Sequence, residues 1–305
     1  MIVVAGEALV DLLIFADGSV EAALGGGPFN VARTVARLGH RCRFLGRLSI
    51  DRFGQRLVTA LSNDGVELGI TARCGDPTTL AAAELDAGGS ASYRFYLEGT
   101  SAPGLRPEHL VGPGDSSTID AVHIGSLGLV LEPMASTLLE WVGTVGRGSL
   151  VMVDLNCRPN AVADHDRYRT MLTRFVSAAD VVKASTEDIG FMFPGVAVDA
   201  AVAALLHLGA EVVLLTDGAS PVTVTGPSGT RTVAVESVQV VDTVGAGDTF
   251  GAGFLAWWIE HGLGRGELGD LDLLTRATAI GASVSAITCT RAGADPPRRD
   301  EISGW

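Results

Sequence analysis

The sequence predicts an α/β fold built around an open, largely parallel sheet. Short β-rich apolar runs alternate with longer stretches of helical periodicity along most of the chain. Small or polar residues follow directly on several of these runs, as they do where parallel strands end. The 305 residues are 47% hydrophobic, enough for a sizeable core in one α/β domain or two smaller ones.

The elements follow in order. "IVVAG" (residues 2–6) is a first strand, and the apolar opening continues past it through Glu7 and Asp11. With those acids and no basic region it reads as strand and continuation, not as a signal peptide. A helix runs through "PFNVARTVARLG" (28–39), then a strand "CRFLG" (42–46) and a helix over 52–63 that Asn63, Asp64 and Gly65 stop. Later strands are "AVHIG" (121–125), "SLVMVDL" (149–155), "DVVKAS" (180–185) and "EVVLLT" (211–216). Each is expected to be followed by a helical stretch, as in "PMASTLLEWVGTV" (133–145) and "DAAVAALLHLG" (199–209). A hairpin is expected over 222–235, and two helices, 247–262 and about 270–287, close the chain. No linker divides it.

One region breaks the rhythm. "TTLAAAELDAGGSASYRFYLEG" (78–99) holds two strand-like runs around an Ala-Gly-Gly-Ser turn, a hairpin pattern. With residues 11–15 and 20–24 it could form a small separate sheet; the alternative is an edge hairpin on the main sheet.

Charge and rare residues exclude several classes. A net charge of −13 argues against nucleic acid or anionic membrane surfaces as partners. Lys183 is the one lysine, so no Gly-Lys-Ser/Thr phosphate loop exists. No uncharged apolar run reaches the length of a membrane span. The cysteines (Cys42, Cys74, Cys157, Cys289) lie far apart without C-x-x-C spacing, as expected of reduced thiols in a cytoplasmic protein.

The strand ends place Glu7, Gly125, Ser126, Asn156, Arg158, Lys183, Ser185, Thr216 and Gly218 along one edge of the sheet, a plausible cleft. Near the C-terminus, Gly245-Ala246-Gly247-Asp248 precedes a helical pattern. Successive N–H groups at a helix start suit phosphate or a developing anion. An acid there has two readings. Asp248 either caps the helix, or takes a proton from a hydroxyl while the amides beside it receive charge.

"VDTVGAGDTFGAGF" (241–254) resembles the second motif of the ribokinase-like PfkB family of carbohydrate kinases. "GGGPFNVARTVARLG" (25–39) resembles its first motif, in the right order. "GEALVD" (6–11), "GSLGLVLEP" (125–133), "DLNCRP" (154–159), "VKASTED" (182–188) and "GADPP" (293–297) look like the fructokinase-type branch. The resemblance spans essentially the whole chain. It implies a three-layer α/β/α sandwich in a single kinase domain, 1–305, with a small β-sheet lid formed by about residues 11–24 and 76–100.

The resemblance also implies roles. Asp248 matches the catalytic base and Gly245, Ala246 and Gly247 the anion hole. Asp11, Gly26, Gly27 and Asn30 match the sugar-binding positions. Arg158 is the cation expected to meet the transferred phosphate. Lys183, Ser185, Thr216, Gly218 and Gly247 fall on the nucleotide side. The family's metal-linked Asn-x-x-Glu is replaced by Ser185-Thr186-Glu187-Asp188, so Mg2+ is expected through water, with Glu187 or Asp188 as the acid. Asp242 and Val244 match positions that bind a monovalent cation in some members. The implied activity is ATP-dependent phosphorylation of a small sugar, fructose first. A kinase for a sugar acid such as 2-keto-3-deoxygluconate is the rival, then a nucleoside kinase, then a sugar-sensing protein without turnover. Kinases for that acid commonly carry an arginine where Leu97 stands. A lid sheet has exposed edges, which makes a homodimer an expectation.

Overall fold

A computed structural model describes residues 1–85, 91–110, 119–145 and 148–305. In chain order the elements are β1 (Ile2–Ala5), β2 (Leu9–Ile14), β3 (Val20–Gly25), α1 (Gly27–Arg37), β4 (Cys42–Leu45), β5 (Arg47–Ser49) and α2 (Arg52–Asn63). Next come β6 (Ala72–Cys74), β7 (Leu80–Leu85), β8 (Ala91–Tyr96), β9 (Ala121–Gly125), α3 (Met134–Thr144), β10 (Leu150–Asp154), α4 (His165–Val176) and β11 (Val181–Ser185). The last third holds α5 (Thr186–Met192), α6 (Val198–Leu208), β12 (Val212–Thr216), β13 (Val222–Gly226), β14 (Gly229–Val233), α7 (Ala246–Glu260) and α8 (Leu271–Cys289).

The main sheet has eight strands in the order β14-β13-β12-β11-β10-β9-β1-β4. From β4 to β12 all neighbours are parallel; β13 and β14 add an antiparallel edge. Alternation along each strand splits the core in two. Val3, Val122, Val151, Val153, Val182 and Val213 face α3, α4, α5 and α6. Ile2, Val4, Met152, Val181, Val212 and Leu214 face α1, α2, α7 and α8. The result is three layers, helices on both faces of a twisted sheet.

Local chemistry sets several boundaries. Asp51 caps α2 by accepting from the Gly54 N–H at 2.8 Å, and Asp164 caps α4 by accepting from the Arg167 N–H at 2.9 Å. Among the described residues no helix is long and apolar enough to cross a membrane. The four cysteines are free, with Cys42 and Cys157 buried.

Residues that broke the sequence rhythm form their own four-stranded sheet, β3-β2-β7-β8. This overturns the edge-hairpin alternative, because β7 pairs with β2 and not with the main sheet. The Ala-Gly-Gly-Ser turn between β7 and β8 lies outside the described residues. Two expectations are corrected. β12 is followed not by a helix but by the β13–β14 hairpin, which extends the sheet by antiparallel pairing. A two-stranded parallel pair, β5 with β6, was not foreseen, since three-residue strands carry no readable period.

Candidate active site

Parallel register brings the strand ends to one edge. Ala5 pairs with Ile124, Gly125 with Asp154, Asp154 with Lys183, and Ser185 with Thr216. Glu7, Ser126, Asn156 and Arg158 follow within four residues of these ends. Ser126 (φ 56°) and Asn156 (φ 35°) are non-glycine residues in the left-handed region, a strain that clusters at functional sites.

The first turn of α7 meets this edge. Its N-cap is Gly245, itself left-handed at φ 80°, so Asp248 sits inside the first turn and does not cap the helix. That removes the capping alternative for Asp248. Its carboxylate is instead held by two amides from distant elements. Asn30 of α1 donates from Nδ2 to Oδ2 at 2.8 Å, and Asn156 donates from Nδ2 to Oδ1 at 3.2 Å. Asp248 is buried, and burial pushes its carboxyl upward, while the Asn30 hydrogen bond and the charges of Lys183 and Arg158 pull it back.

Asn30 has a second feature. Its Oδ1 is buried and has no hydrogen-bond partner among the described residues. A buried amide oxygen left unpaired costs stability unless a ligand supplies the donor. Gly27 keeps the space open. A Cβ there would lie 3.2 Å from Asp248 Oδ1 and 3.1 Å from Asn156 Nδ2.

The small sheet supplies the opposite wall. Asp11 of β2 pairs with Ala23 of β3 and Ala81 of β7, and Ala81 pairs with Phe95 of β8, so Asp11 and Phe95 share a face. The Asp11 carboxylate folds over Gly25, where an added Cβ would lie 2.1 Å from Oδ2. Burial raises the Asp11 carboxyl to about 6; Arg158 opposes the rise and the Asp248 charge adds to it. Tyr93, stacked on Phe95, lies within electrostatic reach of Asp11 and Arg158. Arg94 is on the other face and exposed. Gly26 (φ 108°) turns the chain from β3 into α1, and Glu7 fastens that turn by accepting from the Gly27 N–H at 3.2 Å and the Gly128 N–H at 3.1 Å.

Arg158 is exposed at this mouth and its charge reaches both Asp11 and Asp248. Ser185, Thr216 and Gly218 lie further along the edge, where Thr186 Oγ1 donates to Asp217 Oδ1 at 2.9 Å and ties α5 to the turn after β12. Two sequence expectations change here. Lys183, expected beside the nucleotide, is only 4% exposed and donates to both Asp154 oxygens at 3.0 and 2.9 Å. Asp188, expected near a metal, is buried with both oxygens in use. Oδ1 accepts from the Cys157 N–H at 2.6 Å; Oδ2 accepts from the Ser185 N–H at 2.7 Å and the Ser185 hydroxyl at 2.8 Å. Glu187, one residue earlier, is exposed. Asp242 accepts from the Val244 N–H at 3.0 Å and the Gly293 N–H at 2.8 Å, tying the loop before α7 to the 293 turn.

Sequence reasoning placed Glu7, Ser126 and Asn156 at the edge without a role, and missed Tyr93 and Asp154. A signal for Asp154 existed: "VMVDL" and "VVKAS" each carry one charge of opposite sign in an otherwise apolar strand. Opposite charges on two buried strands are expected to pair.

The chain is 33% identical over 260 residues to a fructokinase of Rhizobium leguminosarum bv. trifolii, covering 84% of this chain and 79% of that protein. It is 30% identical over 307 residues to a fructokinase of Klebsiella pneumoniae, covering 98% and 97%. Its fold is similar to the crystal structure of a fructokinase with bound ATP from Xylella fastidiosa, with a TM-score of 0.89, 29% identity, and 96% and 93% of the two chains covered. The profile of the pfkB family carbohydrate kinases matches residues 1–301, and the chain belongs to that family.

Proposed function

We propose that this carbohydrate kinase transfers the γ-phosphoryl group of ATP to a hydroxyl of fructose, with Asp248 as general base. The observation that carries the reading is the Asp248–Asn30 pair. A carboxylate stands in the first turn of α7, and beside it a buried amide oxygen awaits a donor. A sugar hydroxyl is a donor of the right kind. The fructokinase names of the similar proteins support fructose as the acceptor.

The hydroxyl oxygen attacks the γ-phosphorus as the bond from that phosphorus to its bridging oxygen breaks, and ADP leaves. The hydroxyl proton passes to Asp248. Charge on the transferring group falls to the amides of Gly245, Ala246, Gly247 and Asp248 at the positive end of α7, and to Arg158. Asp11, Gly26, Gly27 and Asn30 hold the sugar, and the small sheet closes over it as a lid. Ser185, Thr216 and Gly218 border the nucleotide.

Among the described residues no group of three or more His, Cys, Asp or Glu could hold a metal ion. Mg2+ keeps several waters and needs only one or two carboxylates plus substrate phosphates. Glu187, exposed at the head of α5, would hold it through water, and when bound it would neutralise charge on the phosphates. Asp242 and Val244 are the candidate positions for a monovalent cation. The free thiols fit a reducing cytoplasm, and the open edges of the lid sheet fit pairing with a second copy.

Two measurements test this reading. In a panel of sugars assayed by ADP release, kcat/KM for fructose exceeds that for 2-keto-3-deoxygluconate by about ten-fold or more. The wall shared by Asp11, Tyr93 and Phe95 offers a sugar acid an acid and aromatic groups, and a missing charge-assisted hydrogen bond is worth about 1.5–3 kcal/mol. A preference for the acid defeats the fructose assignment. Second, KM for the sugar rises several-fold as pH falls through about 6 and is flat above it. Only the ionised Asp11 accepts from two hydroxyls, and its carboxyl takes up a proton at about 6. A KM independent of pH on both sides of that value removes Asp11 from the sugar site.

A further inference from the structure

Beneath the first turns of α7, three adjacent strands present polar side chains on one face: His123 of β9, Asp154 of β10 and Lys183 of β11. All three are buried. Two glycines one turn apart let the helix settle on them. A Cβ at Gly247 would lie 2.7 Å from Lys183 Nζ, and a Cβ at Gly251 would lie 3.4 Å from Met152 Cε and 3.7 Å from His123 Nε2. The ammonium of Lys183 therefore fills the space left by the missing side chain of Gly247. Asp154 holds it from the far side through two hydrogen bonds.

His123 adds no charge. Both ring nitrogens lack a partner among the described residues, and burial with the Lys183 charge lowers its pKa to about 3. The fixed positive charge under the helix is that of Lys183. Burial opposes that charge, and Asp154 restores it.

We propose that Lys183 is a positioning residue for phosphoryl transfer. Locked between Asp154 and Gly247, it fixes the first turn of α7 and presents a constant positive charge to the Asp248 carboxylate and the amides beside it. It does so from beneath the loop, without a place on the solvent side where a nucleotide would lie. The proposal rests on Asp248 being the base. The charged groups that face Asp248 are Glu7, Asp11 and Asp154 on the negative side and Arg158 and Lys183 on the positive. Losing Lys183 leaves Arg158, which is exposed and screened, as the positive member of that set.

Lys183→Met alone strands a buried carboxylate and can fail to fold, so the decisive variant is Lys183→Met/Asp154→Asn, which removes both charges. The expected result is a cooperatively melting protein whose sugar dissociation constant stays within about three-fold of wild type. Its kcat falls about ten-fold or more, and the acid limb of the kcat–pH profile moves up, by less than loss of the Lys183 charge alone would move it because the repelling Asp154 charge leaves with it. Carboxyl-labelled NMR titration of Asp248 in the unliganded protein moves the same way. That readout needs no turnover, so it separates this proposal from the choice of sugar. A folded double variant with wild-type kcat and Asp248 titration makes the pair a packing element only and overturns the proposal. A raised KM for ATP with unchanged kcat makes Lys183 a nucleotide ligand and overturns it equally.

Discussion

Asp248→Asn lowers kcat by about 10²–10⁴ while the sugar dissociation constant stays within a few-fold. The substitution keeps the volume of a side chain that is buried and held by Asn30 and Asn156. An asparagine has one oxygen where the aspartate has two, so one of the two donor amides loses its acceptor. Asn156 can answer by turning its amide oxygen toward the new NH2 group, so Asn30 keeps its hydrogen bond and its Oδ1 stays free for the sugar. The lost function is proton acceptance, since a neutral amide cannot take up the hydroxyl proton as the bond to phosphorus forms. Initial rates at saturating sugar and ATP, with sugar affinity from calorimetry, check the result. A variant keeping more than half of the wild-type kcat would remove Asp248 from the role of base.

Asp188→Ala acts on stability. It costs about 2–4 kcal/mol, because the Cys157 and Ser185 N–H groups and the Ser185 hydroxyl lose their acceptor in a buried setting. Glu187→Ala, one residue away but exposed, stays within about 0.5 kcal/mol of wild type and raises the Mg2+ concentration needed for half-maximal rate. Denaturant unfolding at fixed pH measures the first effect, and a magnesium titration of the rate measures the second. If the Asp188 variant were as stable as wild type and needed more metal, the two acids would exchange roles. The contrast also explains why the acids of "STED" could not be told apart in sequence. Adjacent helical residues point about 100° apart, and which of them turns inward depends on where α5 packs.

Much of the architecture was readable locally. The apolar runs at 121–125, 180–185 and 211–216 return as β9, β11 and β12, and the helix expected over 52–63 is α2, capped by Asp51. Those patterns repeat within a few residues, so a short window contains them. Pairing was less readable. The hairpin at 78–99 suited either an edge of the main sheet or a sheet of its own, because strand alternation identifies a face and not a partner. The hairpin after β12 was recognised as a hairpin, yet the expectation of a helix after every parallel strand failed there because β13 continues the sheet by hydrogen bonding directly to β12.

The candidate site divides the same way. Gly245-Ala246-Gly247-Asp248 ahead of a helix raised the expectation of an anion site from the sequence alone, since the N–H groups at a helix start are local geometry. The sequence by itself also determined the two motifs, the acidic surface charge and the single lysine. Only the tertiary structure decided what each charge touches. Asn30 and Asp248 stand 218 residues apart and meet at 2.8 Å, and Lys183 finds Asp154 across 29 residues. Asp188 turns inward to hold backbone while Glu187 stays in water. A hydrogen bond selects its partner by position in space, and that position follows from the order in which six parallel strands stack, which no window of neighbouring residues contains.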